Sequence, residues 1–228
     1  MIYWLFESFF ESRALAGRML AAATASFLLV LLLAPRVIRF LIRQKLGDVP
    51  EFNHADLNEL TRHKSATPTM GGVLLVGAIF AATLLLADLS NFYIRMALLA
   101  LVWLGAVGGV DDWLKLRYSA GQGSRDGLRS WEKILFQIGL AVLLAVFMYR
   151  YGGGFQPGQV SPAHSFYLPC GIRLLGISLA GYVVVTVLVM VGTSNEVNLT
   201  DGMDGLATGC VLLVAMVLLV FSWVVGVG

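Results

Sequence analysis

Charged residues divide this chain into long apolar stretches. Six runs carry no charge at all: Met19–Pro35, Ser65–Ala87, Met96–Val110, Ile134–Tyr149, Leu174–Asn195 and Gly205–Gly228. A charge at the bilayer centre costs about 2.5 to 3.5 kcal/mol on insertion scales, so uncharged runs of this kind mark membrane-crossing helices. Crossing the hydrocarbon core takes roughly 17 to 25 residues, and an Arg or Lys at the end of a run can snorkel its head group to the interface. The pattern predicts an all-α integral membrane protein with six transmembrane helices, over about 19–35, 68–87, 94–112, 132–150, 173–194 and 205–226, in a single polytopic membrane domain spanning 1–228. Tyr151–Ile172 is also uncharged, but Gly152-Gly153-Gly154, Pro157, Gly158, Pro162 and Pro169 make it a connecting loop.

The cations orient the bundle. Arg36, Arg39, Arg43, Lys45, Arg62 and Lys64 lie between the first and second spans, and Lys115, Arg117, Arg125, Arg129 and Lys133 between the third and fourth. The other side receives only Arg13, Arg18, Arg95, Arg150 and Arg173. By the positive-inside rule the first group is cytoplasmic and the N-terminus is periplasmic. A cleavable signal peptide is disfavoured: Glu7 and Glu11 precede the cations, and the small residues Ala21–Ala25 open the apolar run instead of closing it. The first span is expected to be retained.

Composition agrees with this reading. The chain of 228 residues is 58% hydrophobic and 13% charged, against roughly 25% charged in a soluble domain. That excludes a soluble globular domain and a disordered chain, and nothing points to nucleic acid as a partner. Two cysteines, Cys170 and Cys210, cannot form a disulfide framework or a zinc cluster.

Once the chain is oriented, its unusual polar residues fall on the cytoplasmic side. Asp111 and Asp112 close the third span, with Lys115 one helical turn beyond. Carboxylates at the ends of membrane helices are functional candidates, a solvated helix end being the plain alternative. Asn195, Asn198, Asp201 and Asp204 recur every third residue in what reads as the turn between the fifth and sixth spans, where Gly202 and Gly205 let the backbone bend. An EF-hand is excluded, because Asp201 begins no D-x-[DN]-x-[DN]-G and the twelfth position is Leu212. Thr67-Pro68-Thr69-Met70-Gly71-Gly72 opens the second span as an N-cap followed by proline, a terminus suited to anions or simply a capped helix. Gly105 and Gly109 form a G-x-x-x-G that reads as helix packing. Arg36, Arg39 and Arg43 share one helix face and read as inner-leaflet anchors.

Carboxylates flanked by Lys64, Lys115 and Lys133 at a membrane surface suit Mg²⁺ and phosphates. Mg²⁺ is held by one or two protein carboxylates together with water and phosphate oxygens, and phosphoryl transfer depends mainly on positioning and charge neutralisation. A soluble nucleotide-linked donor can meet a lipid acceptor there.

The strings TPTMGG at 67–72, VDD at 110–112 with Lys115 following, and NEVNLTDGMDGLA at 195–207 resemble the phospho-N-acetylmuramoyl-pentapeptide transferases, polyprenyl-phosphate phosphoglycosyl transferases that make lipid I in bacterial peptidoglycan synthesis. Glu196 stands where that family usually has a small residue. The resemblance implies transfer of phospho-MurNAc-pentapeptide from UDP-MurNAc-pentapeptide to undecaprenyl phosphate, release of UMP, a requirement for Mg²⁺, residence in the bacterial inner membrane with a cytoplasmic active-site face, and a homodimer. Carried onto matching positions, it implies that Asp111 is the base that deprotonates the lipid phosphate, assisted by Asp112. It also implies that Lys115 and Lys133 contact phosphates, and that Lys64, Thr69, Asn195, Asn198, Asp201 and Asp204 line the nucleotide and diphosphate site. The family has about ten helices, with a further metal-binding Asp and a histidine cluster in its later half. The metal ligands are therefore not assigned within 1–228, and the chain is expected to correspond to the N-terminal part of the enzyme and not necessarily to a competent catalyst.

Two rival readings stand beside this one. Polyprenyl-phosphate GlcNAc-1-phosphate transferases share the double Asp and a DGxDG turn, but their segment before the second helix looks less like TPTMGG. An ion-coupled transporter would place its carboxylates near the midplane, often on broken helices, whereas here the span interiors carry no charge.

Overall fold

The computed structural model describes residues 14–43, 71–119, 127–152, 165–167, 173–200 and 205–227. Among these the chain forms six helices and one short hairpin: α1 (Ala14–Arg43), α2 (Gly71–Leu86), α3 (Phe92–Ser119), α4 (Ser130–Tyr151), β1 (Ser165–Tyr167), β2 (Arg173–Leu175), α5 (Leu179–Thr200) and α6 (Leu206–Val227). Four of them are long and apolar enough to cross a membrane: α1 over Met19–Arg43, α3 over Phe92–Lys115, α4 in full and α5 over Leu179–Val197. Shorter apolar helices are Gly71–Leu86 and Leu206–Phe221. Apolar side chains along α6 are exposed, Leu213 at 65% for one, as suits a helix whose solvent is lipid.

The chain divides into two compact units, residues 1–89 with 97–129, and residues 90–96 with 130–228. In the first, α1 packs along α2. Leu41 is buried on α1, and Ala78 and Ala82 are buried four residues apart on one face of α2, where small side chains let helix backbones approach. Gly105 packs on Val76, whose Cγ1 lies 2.9 Å from where a β-carbon would stand; Gly109 meets nothing within 4 Å. Among the described residues the G-x-x-x-G is thus a packing element at its first glycine.

In the second unit α4 packs against α5. The buried positions of α4 are Gln137, Leu140, Ala141, Leu144 and Ala145, the i, i+3, i+4, i+7, i+8 stripe of a single helix face. Tyr149 Oη donates to the Ile177 carbonyl at 3.0 Å, and Tyr93 Oη donates to the Gly152 carbonyl.

Several boundaries differ from the expected spans. α1 continues through Pro35 to Arg43. Proline has no N–H to give the ladder, so the interruption falls at the Leu31 carbonyl four residues back; in the adjoining turns Arg36 Nη1 donates to the Leu32 carbonyl at 3.2 Å and Arg39 Nε to the Pro35 carbonyl at 2.9 Å. α3 extends past Asp111 and Asp112 to Ser119, so the pair lies within a helix and not at its close. The segment read as a loop includes β1, and β2 occupies the start of the expected fifth span; the two strands pair antiparallel with Phe166 opposite Leu174. Gly176, at φ +78°, turns the chain away from the hairpin, and Ser178 Oγ accepts the Gly181 N–H at 3.2 Å as an N-cap. α5 therefore begins at Leu179 and ends at Thr200, so Asn195 and Asn198 are helical and not part of a turn.

Candidate functional site

The last turns of α3 carry the acidic pair. Asp111 is 7% exposed, and a carboxylate so buried is tolerated only when its oxygens find partners. Both do. Oδ2 pairs with Lys115 Nζ at 2.9 Å, the i,i+4 neighbour on the same helix face. Oδ1 accepts the N–H of Leu128 at 2.8 Å, from the segment that leads into α4. Lys115 also lies 3.9 Å from Asp112 Oδ1, with its side chain 44% exposed and that of Asp112 35% exposed. Asp111 is thus the anchored member of the pair and Asp112 the accessible one, with one ammonium between them.

Gly127 makes the Leu128 contact possible. A β-carbon there would collide with Asp111 Oδ1 and stand 3.0 Å from Lys115 Cγ. The sequence reading did not single out this glycine, because its partners Asp111 and Lys115 lie 12 or more residues away along the chain.

A second polar group sits between α4 and α5. Gln137, 9% exposed, accepts from Asn195 Nδ2 at 2.8 Å through Oε1 and donates from Nε2 to Ser194 Oγ at 3.0 Å. Asn195 Nδ2 donates in addition to the Val191 carbonyl at 2.7 Å. Gln137, too, was not singled out from the sequence. Lys133 lies in the first turn of α4.

The remaining expected site residues are placed as follows. Asn198 lies on the backbone of α5, its side chain outside the described atoms. Lys64, Thr69, Asp201 and Asp204 lie outside the described residues. Gly205, at φ +81°, opens α6 with its carbonyl accepting the Gly209 N–H at 2.9 Å. Among the described residues no group of three or more His, Cys, Asp or Glu is gathered as a metal site.

Long apolar helices, one carrying a carboxylate pair with its lysine and another a half-buried Asn195, define a membrane-embedded protein with polar groups set on its helices. Residues 94–228, well over half of the chain, match the sequence profile of glycosyl transferase family 4, and the chain belongs to that family. It is similar to the phospho-N-acetylmuramoyl-pentapeptide-transferase of Acinetobacter baylyi, with 36% identity over an alignment of 245 positions that covers 99% of this chain and 62% of the relative. It is also similar to the proteins of the same name from Desulfotalea psychrophila, 34% identical with 99% and 58% covered, and Brachyspira hyodysenteriae, 33% identical with 99% and 63% covered. The chain spans about three-fifths of the length of these curated relatives.

Proposed function

We propose that the protein transfers phospho-N-acetylmuramoyl-pentapeptide from its UDP carrier to undecaprenyl phosphate, giving lipid I and UMP. The observation that carries this reading is the Asp111–Lys115–Asp112 arrangement, a buried and a partly exposed carboxylate held about one ammonium on a long apolar helix. The family match and the names of the relatives support it. The site faces the cytoplasm of a bacterial inner membrane that six helices cross, with the N-terminus periplasmic, and the protein is a homodimer.

In this reading the carboxylate pair serves as the base for the lipid phosphate, Asp111 taking the proton and Asp112 assisting. Lys115 and Lys133 offset phosphate charge. Asn195, Asn198, Asp201, Asp204, Lys64 and Thr69 line the nucleotide and diphosphate. The donor chemistry also fits Mg²⁺, a hard cation that takes carboxylate oxygens and leaves positions for water and phosphate; Asp112, more exposed than Asp111, is the nearer candidate to hold it. When bound, Mg²⁺ would neutralise charge on the diphosphate.

The test is Mg²⁺-dependent exchange of labelled UMP into the UDP-sugar by the full gene product in detergent, with undecaprenyl phosphate present. Exchange is expected. Its absence, together with substrate-independent ion flux in liposomes, would overturn the transferase reading in favour of a transporter.

A further inference from the structure

Gln137 is the one polar member of the buried stripe on α4. A buried amide is costly unless its donors and acceptor are met. Here its oxygen accepts from Asn195 and its nitrogen donates to Ser194. Replacing the stripe position by an aliphatic residue would fill the same space without that cost, so the amide calls for an explanation in what it does to Asn195.

The orientation of the Asn195 amide follows from chemistry. Asn195 also faces the Val191 carbonyl at 2.7 Å. A carbonyl oxygen only accepts, so the atom turned to it must be the NH₂ group. The second hydrogen of that NH₂ goes to Gln137 Oε1. Both donors of the Asn195 side chain are then engaged within the unit, and the atom left to meet a ligand is Oδ1. An asparagine free to turn over can present either a donor or an acceptor. Held in this way, half-buried near the end of α5, it presents an acceptor.

We propose that Gln137 is a positioning residue that fixes Asn195 with its oxygen toward an N–H or O–H donor of the nucleotide. This inference rests on the nucleotide-dependent transferase reading above and deepens it. Phosphate oxygens only accept, so Asn195 serves recognition of the nucleoside, and the lysines serve the phosphates.

The experiment is UMP binding to the full gene product in detergent with Mg²⁺, by calorimetric titration, combined with a double-mutant cycle and thermal melting of each variant. Asn195→Ala is expected to raise the Kd for UMP about tenfold, the scale of one lost hydrogen bond to a ligand. Gln137→Met should raise it by a similar factor, and the double variant by no more than either single, because both remove the same oriented acceptor. Gln137→Glu keeps an oxygen facing Asn195 Nδ2 and should bind UMP nearly as the wild type does. If Gln137→Met does not yield folded protein, Ser194→Ala, which releases the other end of Gln137, should raise the Kd about threefold.

Independent, multiplying effects in the double variant would overturn the proposal, as would wild-type UMP affinity in Gln137→Met or Ser194→Ala. A change confined to Mg²⁺ dependence would make Asn195 Oδ1 a cation ligand and overturn it as well. If the wild-type protein binds no UMP, the nucleotide reading itself fails and this inference falls with it, an outcome separate from a wild type that binds while its variants fail to couple.

Discussion

At the scale of single residues, Asp111 combines two duties that substitution can separate. Asparagine keeps an oxygen able to accept the Leu128 N–H, now made at 2.8 Å, while it removes the charge paired with Lys115. Asp111→Asn should therefore preserve insertion and local structure, yet lower turnover of the full gene product by about 10²-fold or more if the carboxylate acts as a base. Near-normal lipid I formation would reduce Asp111 to a structural carboxylate that holds Lys115 and the Leu128 amide. Gly127 supplies the complementary case, with every charge retained and only space removed. Its β-carbon would press on Asp111 Oδ1, so Gly127→Ala must displace either the carboxylate or the Leu128 amide. Hydrogen bonds to charged groups contribute about 1.5 to 3 kcal/mol, so a fall of roughly tenfold in kcat is expected, with membrane insertion unchanged. A Gly127→Ala variant as active as the wild type would show that the segment ahead of α4 adjusts without cost to the site.

Packing between helices is where the second unit gains its order. Leu140, Ala141 and Ala145 are fully buried on α4, whereas Val142, one residue round the helix, is 37% exposed. Enlarging a well-packed position costs about 1 to 3 kcal/mol. Ala141→Leu should therefore lower the melting temperature of the detergent-solubilised protein measurably, and Val142→Leu should not; equal melting of the two would mean that the α4 and α5 contact is loose. The same elements show what the amino-acid pattern makes legible. Each of the six helices is visible as an uncharged run, because exclusion of charge from lipid is a strong and local signal. Their ends are less visible. Pro35 reads as a stop but lies inside α1, which runs on to Arg43, and Arg173 reads as the start of a span but pairs in a hairpin opposite Tyr167. Asn195 and Asn198 have turn-forming side chains and yet lie on α5. At Asn195 the amide is met both by the Val191 carbonyl one turn back and by Gln137, 58 residues away, so the side chain does not compete with the helix backbone. The Asp111–Lys115 pair could be read from its i,i+4 spacing alone. Gly127 and Gln137 could not, since their roles arise from contacts between segments distant in the chain.

For the whole molecule the governing question is which side of the membrane each helix end occupies. If every helix crosses once, the C-terminal ends of α1, α3 and α5 share a side with the N-terminal ends of α2, α4 and α6. Arg36, Arg39 and Arg43 lie near the end of α1, Asp111, Asp112 and Lys115 near the end of α3, and Asn195 and Asn198 near the end of α5. Lys133 lies at the start of α4. One crossing per helix thus puts every candidate site residue on the side that also carries most of the Lys and Arg, which the positive-inside rule makes cytoplasmic. The charge bias is the signal that orients the chain, and the motifs fall on the side it selects. Alkaline phosphatase is active only after export, so fusions after residues 50 and 122 should be inactive and those after residues 91 and 160 active. The fusion after residue 122 is the decisive one, because it lies between Lys115 and Lys133 and reports directly on the side that holds the carboxylates. Activity there would reverse the orientation and deny Asp111 and Asp112 access to a cytoplasmic nucleotide-linked substrate. Activity after residue 50 combined with silence after residue 122 would instead mean that α2 or α3 does not cross, and the six-span topology would give way to one with fewer crossings.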